Sequence, residues 1–439
     1  MIAVNRGAEL YARARRRIPG GTQLLSKRPE MFLPEQWPSY FSRAAGVFVW
    51  DLDGRQYLDM SHNAIGANVL GAADPDVDAA VVNAIRDGIA ATLNAPEELE
   101  LADLLCELHP WAQMVRYART GGEAMAIAVR IARARTRRDV IAFCGYHGWH
   151  DWYLAANLAE EQALDGHLLP GLSPVGVPRG LTGTALPFRY NQLDELEAIV
   201  AKHGPNLAAI VMEPTRDTPP ADGFLAGAKR LAREAGAVLV FDEITAGMRL
   251  TTGGAHLILG VTPDIAVLAK AISNGYPMAA IIGTADAMQA AQDSFISSTY
   301  WTDRIGPVAA LATIRKHKRE HVAAHLQRIG VRVQQGWRDE GARAGLPIHV
   351  GGMAPLSHFH LDGPDAQAAH TAFTQLMLDR GFLAGKGFYV TYAHHDEHVD
   401  QYLAAVRDVF GSIGDAMRSG RIGTLLRGPV AHSGFARLT

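Results

Sequence analysis

A lysine beside an apolar stretch is the residue of this chain best suited to covalent chemistry. Lys270 follows the apolar run 265–269, and the chain has only seven lysines. Burying an ammonium is costly, and losing the proton removes that cost. The resulting neutral amine is a nucleophile suited to Schiff-base formation with an aldehyde. The same position also suits a lysine that reaches from a strand end to water, and Lys270 alone does not separate these interpretations.

A hydroxyl and two glycines stand where a strand is predicted to give way to a helix. Thr120, Gly121 and Gly122 come shortly after the apolar run 115–118. The first backbone N–H groups of a helix have no partner within the helix and can hold a phosphate. A Thr-Gly pair is also an everyday helix cap, so this signal is ambiguous by itself.

Two more functional groups follow predicted strands. Tyr146 comes after the apolar run 140–143 and places an aromatic ring at the edge of the predicted sheet. Asp242 ends the apolar run 237–241, where a carboxylate needs a cationic partner. A core salt bridge or a helix cap would also account for Asp242. In open α/β sheets, ligands bind outside the carboxyl ends of the strands.

One cofactor needs all four groups. Pyridoxal phosphate requires an amine for its aldehyde, an acid beside its ring nitrogen, a phosphate cradle and an aromatic ring for stacking. Lys270, Asp242, residues 120–122 and Tyr146 supply one of each. Each group is ambiguous alone, whereas their joint occurrence predicts a pyridoxal-phosphate enzyme.

The order of the predicted elements indicates an α/β protein with two packed units. From about residue 97 to 320, helices alternate with nearly continuous apolar strands, which predicts a buried, mostly parallel sheet with helices on both faces. One helix near 306–344 is predicted to lead into an α+β unit. We therefore expect a helix and hairpin segment at 1–62 that packs with the small domain, a large cofactor-binding domain at 63–320 and a small α+β domain at 321–439.

The composition restricts the partners of the protein. A net charge of −3 and a pI near 6.7 give no electrostatic case for nucleic acid or an anionic membrane. No apolar run reaches the roughly 18–20 residues that span a bilayer, and no secretory signal is recognised. Cys106 and Cys144 suit a reducing cytoplasm. The histidines lack metal-ligand spacing, so we expect no metal site.

With these residues in view, the chain resembles the class III aminotransferases of fold type I, particularly glutamate-1-semialdehyde aminomutase and its aminotransferase relatives. The resemblance covers nearly the whole chain. Its most specific motifs are Tyr-His-Gly-Trp-His-Asp at 146–151, Met-Glu-Pro at 212–214, residues 242–249 and the segment around Lys270. It implies a large domain with a mostly parallel sheet flanked by helices and a smaller α+β domain.

The resemblance also implies a role for each matched residue. Lys270 binds pyridoxal phosphate as a Schiff base and, once displaced, moves the proton at the substrate Cα. Asp242 keeps the pyridine nitrogen protonated, so that the ring accepts electrons. Tyr146 and Ile244 cover the two ring faces. Glu213 supports Asp242 or the cofactor oxygen.

For the phosphate, the resemblance implies Thr120, Gly121 and Gly122, together with Thr299 reaching over from a neighbouring subunit. A homodimer with shared active sites follows from that arrangement. The family often has Asn-Ser-Gly-Thr-Glu where this chain has Arg-Thr-Gly-Gly-Glu. Since Gly122 lacks a hydroxyl, the phosphate must depend more on backbone N–H groups, on Thr299 or on Arg119.

The activity implied is ping-pong transfer of an amino group from a small-molecule donor to a keto or aldehyde acceptor. An aminomutase of the glutamate-1-semialdehyde type is the alternative. In that enzyme a short Val-Asn-Ser-Pro-Val-Arg segment follows Ile-Pro-Gly-Gly, whereas here residues 22–28 differ, and Ser-Asn-Gly at 273–275 replaces its glycine triplet. These departures favour transamination. A catalytically idle relative is a further alternative, against which the retention of Lys270 and Asp242 argues.

Substrate contacts are the least readable part of the sequence. Arg28, Arg216 and Trp301 are candidates for a carboxylate clamp or a pocket wall. An arginine fork matches a carboxylate well, although each arginine taken singly is better explained by a solvated side chain.

Overall fold

The protein was analysed as a computed structural model, which describes residues 5–167 and 170–435. Contacts divide these residues into two units. One unit combines the residues up to Asp74 with those from Ala324 onward, and the other runs from Pro75 to Ala323. The domain limits predicted at residues 62 and 320 stay a prediction, and the outer ends of the predicted terminal domains lie outside the described residues.

The described residues form fourteen strands. In chain order they are β1 (Phe41–Ala45), β2 (Phe48–Asp51), β3 (Gln56–Met60), β4 (Met114–Ala118), β5 (Val140–Cys144), β6 (Ala185–Pro187), β7 (Leu207–Met212), β8 (Val238–Asp242), β9 (Ile265–Leu268), β10 (Ala279–Gly283), β11 (Ile348–Gly351), β12 (Leu356–Leu361), β13 (Phe382–Ala384) and β14 (Gly387–Tyr389).

Fourteen α-helices, besides short 3-10 turns, occupy much of the remaining described chain. They are α1 (Arg6–Ala14), α2 (Pro75–Arg86), α3 (Glu97–Leu108), α4 (Gly121–Thr136), α5 (Asp151–Leu154), α6 (Ala156–Ala159), α7 (Leu193–His203), α8 (Phe224–Ala235), α9 (His256–Leu259), α10 (Ala285–Met288), α11 (Ile305–Arg319), α12 (Val322–Ala344), α13 (Ala366–Asp379) and α14 (Asp396–Arg418).

The unit from Pro75 to Ala323 is built on a seven-stranded sheet in the order β4-β10-β9-β8-β7-β5-β6. Strand β10 runs antiparallel to β4 and β9, and every other neighbouring pair is parallel. The sheet therefore has the mostly parallel topology that the apolar strands predict. Two antiparallel contacts still leave β4 parallel to β9, so the carboxyl ends of both strands lie at the same edge.

The central strands are apolar throughout because both faces of this sheet are covered. Val211 and Val240 belong to an apolar cluster that includes residues of α4. Their neighbours Ile210 and Leu239 belong to a second cluster, which includes residues of α7 and α8. Alternate residues of one strand thus enter two different cores, which is why the sequence shows continuous rather than alternating hydrophobicity.

The other unit contains two smaller sheets, β1-β2-β3-β13 and β11-β12-β14. The predicted hairpin is present as the antiparallel pair β2–β3. Helices α13 and α14 pack against each other, and their side chains Phe373 and Phe410 lie 5.1 and 5.6 Å, ring to ring, from Phe359 on β12. Trp337 is buried and donates a hydrogen bond to the hydroxyl of Tyr402 at 3.0 Å.

The prediction of a single helix near 306–344 is wrong, because the chain forms two helices there, α11 and α12. His321 has a φ of 50°, in the left-handed region, and this conformation cannot continue an α-helix. Residues 315–321 are all polar, as on a solvated helix face, and no glycine or proline among them marks the break in the sequence.

The described part of the chain lacks two features, a membrane-spanning helix and a metal-binding cluster. No helix there is long and apolar enough to cross a membrane. No group of three or more His, Cys, Asp or Glu side chains there is arranged to hold a metal ion.

Candidate active site

Most of the predicted site residues follow strands that end at one edge of the seven-stranded sheet. Asp242 ends β8, and it pairs in register with Val267 of the parallel neighbour β9. Lys270 comes two residues after β9. Tyr146 comes two residues after β5, and Glu213 comes directly after its parallel neighbour β7. The topology therefore gathers an amine, two carboxylates and a phenol at the carboxyl edge.

Asp242 is almost completely buried and is bound from two sides. Its Oδ2 atom lies 2.8 Å from Nδ1 of His147, and its Oδ1 atom accepts a hydrogen bond from the backbone N–H of Ile244 at 3.0 Å. The other ring nitrogen of His147, Nε2, lies 3.1 Å from the carbonyl oxygen of Cys144. A buried carboxylate without such partners would be strongly destabilised.

Lys270 donates a hydrogen bond from Nζ to Oγ1 of Thr245 at 2.8 Å. Burial, the larger cause, and the positive charge of Arg216 lower the pKa of its amine to about 8, while Asp242 and Glu213 oppose that shift. Near physiological pH such an amine has a neutral fraction of roughly a tenth, far larger than that of an exposed lysine. This is the property that a nucleophilic amine requires, and Asp242 lies within electrostatic reach of Lys270.

Glu213 joins Tyr146 and Arg216 in the same site. Its carboxylate accepts a hydrogen bond from the backbone N–H of Tyr146 at 3.3 Å and forms an ion pair with Arg216, with Nη1 3.2 Å from Oε1. The Glu213 side chain is 8% exposed and that of Arg216 is 22% exposed. The pair thus places a shielded cation near the amine of Lys270.

Apolar side chains complete the walls of the site. The rings of Tyr146 and Tyr153 meet edge to face, with centroids 5.9 Å apart. Tyr146 and Ile244 both pack against the apolar cluster beneath α4. The hydroxyl of Tyr153 donates to the carbonyl of Gly145 at 3.0 Å, which holds the turn that carries Tyr146.

Helix α4 begins with two glycines in close contact with their surroundings. A Cβ atom on Gly121 would lie 2.9 Å from Cδ1 of Ile244, and one on Gly122 would lie 3.1 Å from Nδ1 of His150. The carboxylate of Glu123 accepts the backbone N–H groups of Arg119 and Thr120, at 2.9 and 3.4 Å. The first two residues of α4 therefore lack side chains, which is compatible with a phosphate bound to the backbone N–H groups of the helix N-terminus.

Arg119 is bound to the chain around it. Its guanidinium forms an ion pair with Asp303 and donates hydrogen bonds to the carbonyls of Ala118 and Trp301, at 3.1 and 2.9 Å. Asp303 in turn accepts the backbone N–H of Ile305 at 2.9 Å, at the start of α11. Arg119 therefore joins the beginnings of two helices, and its hydrogen-bonding capacity is used in doing so.

The remaining predicted residues lie in or beside 3-10 turns. Trp301 packs against the cluster that Tyr146 and Ile244 also contact. Thr299 is exposed in a 3-10 turn, where its carbonyl accepts the hydroxyl of Thr302 at 3.0 Å. Arg28 belongs to the other unit, and its guanidinium packs against Gly20. A Cβ atom on Gly20 would lie 2.5 Å from Nη2 of Arg28.

Two residues of this site were missed in the sequence. The sequence identifies His147 only as part of the motif 146–151 and gives Thr245 no role. A signal for His147 exists, because a buried Asp242 needs a partner and His147 follows a strand of the same sheet. Nothing in the sequence distinguishes Thr245 from an ordinary turn residue.

The chemistry of these groups fits pyridoxal phosphate. Lys270 has a lowered pKa, Asp242 is held by His147, and bare backbone opens α4 at Gly121 and Gly122. An aldehyde, a pyridine nitrogen and a phosphate are the three functional groups that such residues bind.

Comparison with known proteins gives a consistent result. The model of the family described as aminotransferase class-III matches residues 34–410. The chain is 31% identical to 3-aminobutyryl-CoA aminotransferase of Cloacimonas acidaminovorans (strain Evry), over 94% of this chain and 98% of the relative. It is 34% identical to glutamate-1-semialdehyde 2,1-aminomutase of Roseiflexus castenholzii (strain DSM 13941 / HLO8), over 94% and 99%.

Among solved structures, the chain is similar to the FumI protein of Sphingopyxis sp. MTA144, determined in its PLP internal aldimine form. The TM-score is 0.85 at 25% identity, and the match covers 96% of this chain and 100% of that one.

Proposed function

The chain belongs to the class-III aminotransferases, and from this premise we propose how its own residues carry out amino-group transfer. It is a pyridoxal-phosphate-dependent aminotransferase of fold type I. When bound, the cofactor supplies an aldehyde for amine exchange and a ring that draws electrons from the substrate Cα. A small-molecule amino donor and a keto or aldehyde acceptor use the site in turn, in ping-pong fashion.

Lys270 and Asp242 carry the reaction in this proposal. Nζ of Lys270 would hold the cofactor aldehyde and, once free of it, would take the proton from the substrate Cα as a general base. Asp242, oriented by His147, would pair with the ring nitrogen of the cofactor. One observation best supports these roles of Lys270 and Asp242. The pKa of the Lys270 amine is lowered to about 8, and that amine lies within electrostatic reach of Asp242.

Three further residues would hold the cofactor ring. Tyr146 and Ile244 would cover its two faces, since both come after strands of this sheet and pack against the same apolar cluster. Glu213 would support the cofactor oxygen or Asp242, and its ion pair with Arg216 orients its carboxylate. Together these contacts exclude water from the reacting atoms, which strengthens every charge interaction there.

The phosphate would be bound by Thr120, Gly121 and Gly122 at the start of α4, where the helix dipole favours an anion. Thr299 would complete this cradle from a second copy of the chain, and we therefore propose a homodimer with shared active sites. Two large apolar side chains beside Thr299, Phe295 and Tyr300, are 87% and 76% exposed. A partner subunit covering that segment would bury them.

The substrate would be recognised by Arg216 and Trp301, with Arg28 as the third proposed residue. Arg216 supports this role because its charge acts on Lys270, so it lies near the reacting amine. Its ion pair with Glu213 is partly exposed, and a substrate carboxylate could exchange for that of Glu213 in a bidentate contact.

We place the enzyme in the cytoplasm on its use of cysteine. Cys106 and Cys144 are both free, and burial raises the pKa of the Cys144 thiol, which makes it unreactive. Two unpaired thiols of this kind suit a reducing compartment.

Borohydride reduction of the holoenzyme tests the central proposal. Reduction should fix the cofactor to the peptide that contains Lys270, and Lys270→Ala should bleach the cofactor absorbance at visible wavelengths and abolish transfer. Lys202→Ala, in an exposed part of α7, is the matched control and should behave as wild type. Amino-group transfer by Lys270→Ala at the wild-type rate would overturn the proposal.

A screen of amino donors would then identify the substrate. Each donor is added alone, and conversion of the cofactor to its amine form is followed by absorbance. An aminotransferase releases a keto product in this half-reaction, whereas an aminomutase retains its product skeleton in the site. Release of a free keto product with a donor other than glutamate-1-semialdehyde is the expected outcome.

A further inference from the structure

We infer that Thr245 is a positioning residue for the catalytic amine. In this inference the hydroxyl oxygen of Thr245 accepts a hydrogen bond from Nζ of Lys270 whenever Nζ is not bonded to the cofactor. This hydrogen bond sets the direction in which the lone pair of Nζ points. The inference rests on the proposed role of Lys270.

The geometry is a single short hydrogen bond inside the site. Nζ of Lys270 donates to Oγ1 of Thr245 at 2.8 Å, and Thr245 is 8% exposed. No other hydrogen bond of Nζ exists within residues 5–167 and 170–435. The orientation of the amine therefore depends on this one oxygen atom.

The backbone fixes that oxygen relative to Asp242. Ile244, between the two residues, donates its N–H to Oδ1 of Asp242 at 3.0 Å. The N–H of Gly247 donates to the carbonyl of Glu243 at 2.8 Å and closes the turn. The end of β8 and the turn that follows it therefore carry both Asp242, the carboxylate for the ring nitrogen, and Thr245, the acceptor for Lys270.

A hydroxyl is a suitable acceptor for an amine that must act as a base. A neutral amine that donates one N–H to a fixed oxygen has its lone pair restricted to a narrow range of directions. A carboxylate in place of Thr245 would stabilise the ammonium and keep the amine protonated. The neutral hydroxyl positions Lys270 and favours its ammonium form much less than a carboxylate would.

Two substitutions separate this role from a merely structural one. Thr245→Val keeps the branched shape and loses the oxygen, whereas Thr245→Ser keeps the oxygen and loses a methyl group. Thr313→Val is the matched control, because Thr313 is fully buried in α11 and its hydroxyl has no hydrogen-bond partner in the described chain.

The experiment measures, in holoenzyme, the rate at which a donor exchanges its Cα deuterium with solvent, as a function of pH. We expect Thr245→Val to slow exchange about tenfold to hundredfold, with the donor KM changed less than about threefold. The oxygen stabilises the ammonium more than the amine, so its loss should also shift the pH midpoint downward. Thr245→Ser and Thr313→Val should stay within about threefold of wild type.

A second readout does not depend on activity. In full-length protein stripped of cofactor, Lys270 is methylated with formaldehyde and cyanoborohydride, and its peptide is quantified by mass spectrometry. The labelling midpoint should move to lower pH in Thr245→Val and return in Thr245→Ser.

Unchanged exchange rate and unchanged pH midpoints in Thr245→Val would overturn the inference, as would a Thr245→Ser enzyme as slow as Thr245→Val. If Thr245→Val does not fold, Thr245→Ser alone decides. Wild-type pH midpoints for deuterium exchange and for Lys270 methylation in Thr245→Ser support the inference, and a displaced midpoint in either measurement overturns it. Borohydride attachment of the cofactor to a different lysine would instead contradict the proposed function, so the two failures are distinguishable.

Discussion

The imidazole of His147 joins the ends of two strands by binding the carboxylate of Asp242. Nδ1 lies 2.8 Å from Oδ2 of Asp242, and Nε2 lies 3.1 Å from the carbonyl oxygen of Cys144. A carbonyl oxygen only accepts, so Nε2 carries a hydrogen, and a second proton must lie between Nδ1 and Oδ2. The orientation of the Asp242 carboxylate at the end of β8 is therefore set by a residue that follows β5, two strands away in the sheet.

Removal of this imidazole should impair proton transfer more than cofactor binding. In His147→Ala, Asp242 keeps only the backbone N–H of Ile244, and the loss of a charge-assisted bond of about 1.5–3 kcal/mol should slow Cα deuterium exchange roughly tenfold to hundredfold. His147→Asn can still donate one N–H, so its rate of Cα deuterium exchange should lie between those of wild type and His147→Ala. An Ala variant that exchanges deuterium as fast as wild type would show that His147 serves only the loop.

Asp242→Asn should bind the cofactor and lose most of its activity. An amide cannot keep the ring nitrogen protonated, so deuterium exchange at Cα should slow by orders of magnitude, about 10²-fold or more. Asp264→Asn is the matched control, because Asp264 accepts the N–H of Leu239 at 2.8 Å at the opposite end of strand β9. Undiminished exchange in Asp242→Asn would count against the electron-sink role.

Lys270 should destabilise the cofactor-free protein at neutral pH. Its pKa is about 8 in the folded chain, against an ordinary value of 10.5. Between these values the unfolded chain holds a proton that the folded chain lacks, so stability rises with pH and the penalty is fully present below pH 8. Lys270→Met should therefore raise the free energy of unfolding at pH 7 by about 1–3 kcal/mol.

Urea unfolding at pH 7 and pH 10 checks that sign. The advantage of Lys270→Met should shrink as the pH approaches 10, whereas Lys202→Met, at an exposed position, should show no such dependence. An advantage that grows with pH would contradict the assignment of a buried, weakly basic amine.

Gly121→Ala should weaken phosphate binding. The new methyl group would lie 2.9 Å from Cδ1 of Ile244, so the start of α4 or the side chain that covers the ring must move, at a cost of about 1–3 kcal/mol. Cofactor affinity, measured by titration of stripped protein, should fall correspondingly. Gly411→Ala in α14 has open space around it and should stabilise the protein by up to about 1 kcal/mol. Equal effects at both glycines would indicate a general backbone effect.

The amino-acid sequence by itself determined the chemistry and the layering of this protein. Continuous apolar runs such as Ile265–Leu268 predicted strands buried on both faces, since only a sheet with two covered faces needs them. The residue types at Lys270 and Asp242 restricted the cofactor, because few cofactors need both an amine and an acid. The break at His321 was missed because the left-handed residue is not a glycine and no proline stands near it.

Only the tertiary structure decided which side chains meet. His147 and Asp242 are 95 residues apart in sequence, and their contact exists because β5, β7 and β8 are successive parallel neighbours. Thr245 acquires its role from the distance of one oxygen to Nζ of Lys270, a quantity that no residue pattern specifies. Patterns in the sequence report burial and local conformation, whereas hydrogen bonds between strand ends depend on strand order, which is a property of the folded chain.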